Sequence, residues 1–187
     1  KSYEGATQWE AALSGNPYLK TIVPISGTTS TKTLLFKNGS AEARSQVMHG
    51  AYFINIVDFD ESDTEHVCPD VADGFTRGER TYLEPRVDPD LNYWNERDYR
   101  QRSIDNYQGS VYFVQGLQDW NVDSHMIFPL YQQMKDAGFD VKGIFGQWGH
   151  DYPDQWQKHD DIDKDNGGTA FPQMTRWDWA QDLFEWF

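Results

Sequence analysis

The run SVYFVQGL, residues 110–117, limits what this chain can fold into more than any other stretch. It is short, rich in β-branched and aromatic side chains, and reads as a buried strand. Gln118, Asp119, Trp120 and Asn121 follow it at once. A surface turn would need only Asn-Gly or Pro-Asp. A carboxylate, an indole and an amide at the end of a buried strand have the composition of a site.

Two further apolar runs flank it. LKTIVPISG (19–27) is β-branched and is closed by Pro24 and Gly27, and FDVKGIFGQWG (139–149) is of the same kind. Both read as strands. Helical spacing occupies the segments between and around them. SYEGATQWEAALS (2–14) predicts a helix stopped by Gly15 and Pro17, and DSHMIFPLYQQMKDAG (123–138) predicts one with Asp123 or Ser124 as N-cap and Gly138 as its stop. RWDWAQDLFEWF, at the end of the last segment, predicts an amphipathic helix with Trp179, Leu183, Phe184 and Phe187 facing the core.

Strand, helix and strand in alternation mean an α/β fold with a parallel sheet. Residues 29–107 break that rhythm with scattered helical patches, proline breaks and many acids, and predict an inserted, mostly helical cap. The division expected is therefore 1–28 and 108–187 for the core, with 29–107 inserted between two of its strands.

With 187 residues, the chain is long enough for one domain with an insertion, and 8 Trp, 10 Tyr and 11 Phe suffice for a packed interior and an aromatic-lined cleft. A net charge of −14 opposes nucleic-acid and anionic-membrane partners, which need a positive field, and suits a protein kept soluble in high salt. The single cysteine, Cys68, excludes an internal disulfide. No apolar run approaches the roughly 18 residues of a membrane span.

In a parallel sheet, ligands bind beyond the carboxyl ends of the strands. Asp119 stands at one such end and His150 at the next, and Ser2 immediately precedes the first helix. Ser, Asp, His is the chain order of the α/β-hydrolases. Serine is a weak nucleophile until a base takes its proton, and a carboxylate holds that base in the right tautomer. At a helix N-terminus the backbone N–H of Tyr3 can also face an oxyanion. Taken singly, Ser2 reads as an N-cap, Asp119 as a cap of a helix beginning near Asn121, and His150 as a satisfied loop histidine. Their joint order at element ends selects the triad.

The same residues carry a family resemblance. KSYEGATQWEAA resembles the nucleophile turn of the X-prolyl dipeptidyl-peptidase and cocaine-esterase superfamily, built on Gly-x-Ser-Tyr-x-Gly. YWNERDY (93–99), GLQDWNV (116–122) and GQWGHDYPDQW (146–156) resemble segments of the X-prolyl dipeptidyl-peptidases in particular. The resemblance covers about half the chain, at both ends, and leaves 29–90 unaligned. It implies an α/β-hydrolase with Ser2 as nucleophile, Asp119 as orienting acid and His150 as base, releasing N-terminal dipeptides that end in proline. It also implies that Asn121 hydrogen-bonds the carbonyl of the substrate's N-terminal residue, and that Trp120 packs under the site or walls a proline pocket. Glu4 departs from the apolar residue usual at its position. The family pattern puts a glycine and a launching strand ahead of Lys1, so a piece of a larger hydrolase is expected.

Other readings compete locally. DIDKDNGG (161–168) has a calcium-loop rhythm, but Pro172 stands where an EF-hand needs glutamate, so a solvated acidic loop is expected. His49, His66, His125 and His159 lack metal-ligand spacing. In NERDYRQR, an exposed helix with i,i+4 pairs competes with the idea that Glu96 or Asp98 holds the substrate's N-terminal ammonium. The alternatives for the whole are an ester or acyl hydrolase of the same superfamily and a non-catalytic hydrolase-like module. The expected partners are a peptide or small ester substrate, the N-terminal part of the same hydrolase domain, and a second copy in a homodimer. No cofactor or metal is expected, and the expected location is cytoplasmic.

Overall fold

A computed structural model of the chain describes residues 1–37, 40–41, 92–155 and 175–187. Its elements are α1 (Tyr3–Leu13), β1 (Thr21–Ile22), α2 (Thr31–Leu35), β2 (Phe36–Lys37), β3 (Ser40–Ala41), α3 (Asn92–Asn95), α4 (Arg100–Asn106), β4 (Ser110–Gly116), a 3-10 turn (Ser124–Met126), α5 (Phe128–Asp136), β5 (Val141–Gly146) and α6 (Trp179–Trp186). Cys68, His49, His66, His159, the 161–168 stretch and most of the cap lie outside the described residues.

β1, β4 and β5 form one parallel sheet in the order β1-β4-β5. β4 is its middle strand, paired with β5 from Val111↔Val141 to Gly116↔Gly146. A middle parallel strand is covered on both faces, which is why its sequence is a continuous apolar run. Val111, Tyr112, Phe113 and Val114 are each 0% exposed. Phe113 points to one layer, against Trp9 of α1 and Tyr131 of α5, each with a ring separation of 5.6 Å. Tyr112 and Val114 point to the other, with Val23, Ile144, Trp148 and Trp179 of α6.

The chain divides into two compact units, Lys1–Ser30 with Asp98–Phe187, and Thr31–Arg97. The first holds the sheet. α4, expected within the cap, belongs to this unit and packs against α1. Burial of Tyr99, Ser103 and Tyr107 and a 2.7 Å bond from the Tyr99 hydroxyl to Glu10 account for that. In the second unit β2 pairs antiparallel with β3, a short ladder where the sequence suggested helix, and Phe36 stacks edge-on against Trp94 at 5.2 Å. The segment around NERDYRQR is two helices rather than one, interrupted at 96–99.

Two expectations at helix ends are corrected. Asp123 and Ser124 do not cap α5: they open the 3-10 turn, and α5 starts at Phe128 with Pro129 in its first turn and no side-chain cap. Gly138 does end it, at φ 87, a backbone conformation that costs glycine nothing. In α6, Trp179 is buried and Leu183 and Trp186 pack on the sheet, whereas Phe184 and Phe187 are 77% and 76% exposed. Trp186 reaches inward because its ring meets Tyr112 and its Nε1 donates to Thr21 Oγ1 at 2.8 Å.

Candidate active site

The site assembles at the carboxyl ends of β4 and β5. Gly116 closes β4, and a Cβ there would lie 2.2 Å from the Trp148 carbonyl oxygen, so the two loops leaving the sheet run in backbone contact. Backbone N–H groups of Leu117 and Gln118 donate across that contact to Gly146 and Trp148. The loops carry Asp119 and His150, both buried.

Their side chains meet. His150 Nδ1 lies 2.8 Å from Asp119 Oδ2. Gln115 Nε2 donates to the same oxygen at 3.1 Å. The other oxygen, Oδ1, accepts the backbone N–H groups of Asn121 and Val122, each at 2.9 Å. A carboxylate that already takes three donors offers only acceptor sites to the imidazole. Nδ1 therefore carries the ring proton, and Nε2 is left as the basic nitrogen. One oxygen of Asp119 meets His150, and the other caps a turn rather than the helix expected near Asn121, since the next helical turn begins only at Ser124.

Ser2 stands at the head of α1 with φ 59 and ψ −126, a left-handed conformation strained for a residue with a side chain. Its N–H donates to Ile25 O at 2.9 Å, and its carbonyl accepts from Ala6. The turn can close because Gly5 and Gly27 touch backbone to backbone: a Cβ on Gly27 would lie 2.4 Å from the Gly5 carbonyl carbon. Tyr3 is the first helical residue, with its side chain exposed, so its N–H has no acceptor within the helix. Chain neighbours link the Ser2 turn to the histidine loop. Lys1 Nζ lies 3.4 Å from Asp151 Oδ1 and 5.1 Å from the centre of the Tyr152 ring.

Trp120 is 45% exposed. Asn121 is half-buried, its N–H held by Asp119. Asp98 gives both oxygens to Arg100, at 2.8 and 2.5 Å, and so is poorly placed to hold an ammonium. Glu96 is largely exposed. His125 is exposed, 3.9 Å from Asp123. No group of three metal-ligating side chains occurs among the described residues.

Two features were missed by reading the sequence. Gln115 is a fully buried amide inside a run that has to be buried, and that incongruity was its signal. The Lys1–Asp151 pair spans 150 positions and had none.

The family model described as X-Pro dipeptidyl-peptidase (S15 family) matches residues 1–152. A Xaa-Pro dipeptidyl-peptidase of Lactiplantibacillus plantarum is 24% identical over 182 residues, covering 89% of this chain and 21% of that protein. One of Ligilactobacillus salivarius is 24% identical over 176 residues, covering 84% of the chain and 22% of the protein. A Rhodopirellula baltica relative, provisionally assigned the same activity, is 26% identical over 174 residues, 89% of this chain and 28% of its own. The chain thus spans little more than a quarter of these relatives at most. Among solved structures, an acylaminoacyl peptidase in complex with Z-Gly-Gly-Phe-chloromethyl ketone superposes with TM-score 0.54 at 12% identity, over 98% of this chain and 22% of that one. The uncomplexed Pyrococcus horikoshii acylaminoacyl peptidase gives 0.52 at 14%, with the same coverage. The fold is that of the α/β-hydrolases.

Proposed function

The chain belongs to the X-Pro dipeptidyl-peptidase family, and from that premise we propose that it carries the catalytic groups of a serine peptidase releasing N-terminal X-Pro dipeptides. The observation that carries the reading is the 2.8 Å contact between His150 and Asp119 at the ends of adjacent parallel strands. The strained Ser2 at the head of α1 supports it.

In this reading Ser2 Oγ attacks the carbonyl carbon of the substrate's second residue, and His150 Nε2 takes its proton. Asp119 holds Nδ1–H and stabilises the imidazolium that forms. The Tyr3 N–H donates to the oxyanion, with a second donor outside the described residues. Collapse of the intermediate breaks the peptide bond, and His150 returns the proton to the departing amine. Water, deprotonated by His150, then releases the dipeptide from Ser2. Asn121 receives the carbonyl of the substrate's first residue, and the exposed part of the Trp120 ring offers a flat apolar wall to proline, which has no N–H to satisfy.

The test is hydrolysis of Gly-Pro-p-nitroanilide against phenyl acetate, by the protein as its gene encodes it and by Ser2→Ala. Dipeptide turnover that the substitution reduces by several powers of ten is expected. Cleavage of the ester alone would keep the triad and move the protein to the acyl-ester hydrolases. Labelling by a fluorophosphonate, lost in Ser2→Ala, separates either enzyme from a binding module.

A further inference from the structure

We propose that Gln115 is a positioning residue of this site, one that aims the Asp119 carboxylate at His150. The inference rests on the reading of Ser2, Asp119 and His150 as one catalytic set.

Gln115 lies on β4 and is 0% exposed. Its Nε2 faces three acceptors: the Gly116 carbonyl at 3.1 Å, Asp119 Oδ2 at 3.1 Å and the Val122 carbonyl at 2.8 Å. Three acceptors around one atom identify it as the amide nitrogen, with two hydrogens to share among them. Its Oε1 has no hydrogen-bond partner among the described residues. A side chain needed only for packing would be apolar here, as its strand neighbours are, because a buried amide oxygen without a donor costs stability. The residue is polar despite that cost, and what its nitrogen gains is a grip on both the Asp119 carboxylate and the far end of the Asp119 loop.

The geometry makes the grip specific. Two backbone donors hold Oδ1 of the carboxylate. The Gln115 donor on Oδ2 pins the second oxygen, the one that meets His150 Nδ1. Rotation away would leave Nδ1–H without its acceptor and allow the wrong tautomer. Gln115 touches no reacting atom, so its loss should lower kcat and leave KM nearly unchanged.

Gln115→Met keeps the length and apolar contacts of the side chain and removes both donors. On Gly-Pro-p-nitroanilide, with active sites counted by complete fluorophosphonate labelling, kcat per site should fall about 10- to 100-fold, the range typical of residues that orient a functional ligand. KM should stay within about twofold. The downfield proton resonance of the His150–Asp119 hydrogen bond should shift or broaden. Activity lost only in proportion to folded protein, with that resonance unmoved, would overturn the proposal and leave Gln115 as a tie within the loop. If Ser2→Ala retains activity, the failure is instead that of the peptidase reading. Should Gln115→Met not fold, the unmodified protein carries the test. Phosphonylation of Ser2 places a bulky group beside the His150–Asp119 pair, so the Gln115 side-chain amide resonances must move, and resonances that stay put overturn the proposal.

Discussion

Asp119 serves two partners with two oxygens, and a substitution can separate them. In Asp119→Asn the amide oxygen can keep the N–H groups of Asn121 and Val122, so the loop is retained. The amide nitrogen then faces His150 Nδ1 and Gln115 Nε2, both donors in the native arrangement. The imidazole is driven to carry its proton on Nε2, where it cannot act as a base. A fall in kcat of about 10³–10⁴-fold with little change in melting temperature is expected from steady-state kinetics and thermal unfolding. A loss of less than tenfold would remove Asp119 from its role. This residue was legible in the sequence because a carboxylate following a buried strand has few structural reasons to be there. Gln115 was less legible, since one polar residue within an apolar run reads as noise until its three acceptors are seen.

Among the elements, the approach of α1 to the chain leaving β1 shapes the turn that carries Ser2. Gly5 and Gly27 meet there with no space between their backbones: a Cβ on Gly5 would lie 2.6 Å from Ile25 O and 2.9 Å from Gly27 Cα. Backbone atoms cannot swing aside as a flexible side chain can. Gly5→Ala should therefore push the head of α1 outward, costing about 1–3 kcal/mol by overpacking. It should also break the Ser2 N–H bond to Ile25 O that fixes the turn. Chemical denaturation would read the first effect, and fluorophosphonate labelling of Ser2 the second. Labelling at the native rate in a destabilised variant would show that the turn does not depend on this contact. The helix itself was legible from its spacing. The contact was not, because nothing local to residue 5 or residue 27 announces that they touch.

At the scale of the molecule, α6 is tied to the sheet by charge as well as by Trp179 and Trp186. Lys142 Nζ lies 2.6 Å from Asp182 Oδ1, the Tyr112 hydroxyl donates to Asp182 Oδ2, and the ammonium sits 4.8 Å from the centre of the Tyr112 ring. The hydrogen bond from Lys142, then that from Tyr112, holds the Asp182 carboxyl below its ordinary value of 3.8. Asp98 is also held below that value: burial opposes the shift, and the Arg100 hydrogen bonds and charge outweigh it. A depressed carboxyl contributes stability that is present above its unfolded pKa and lost as pH falls through the folded one. These two acids therefore weaken the fold below about pH 4. Burial, and for Tyr112 also Asp182, raises the phenols in the opposite sense, Tyr107 to about 12 and Tyr112 further. Their contribution is complete below the ordinary phenol value near 10 and is lost as pH rises beyond it. Melting temperature against pH should fall at both extremes. The acid fall should be shallower in Asp182→Asn, and an equal fall in that variant would exclude Asp182 from the account.

By itself the sequence determined the alternation of strand and helix, the parallel sheet it implies, and the order of Ser2, Asp119 and His150 at the ends of elements. Those follow from local periodicity and covalent order, which need no knowledge of partners. Tertiary structure alone decided that Asp119 and His150, 31 residues apart, touch through particular atoms. It also decided that α4 packs with the sheet-bearing unit and that Trp186, not Phe184 or Phe187, faces inward. The reason is physical: a side chain's polarity sets how strongly it seeks burial, but the register of β4 on β5 and the closest approach of backbones set which neighbour it finds.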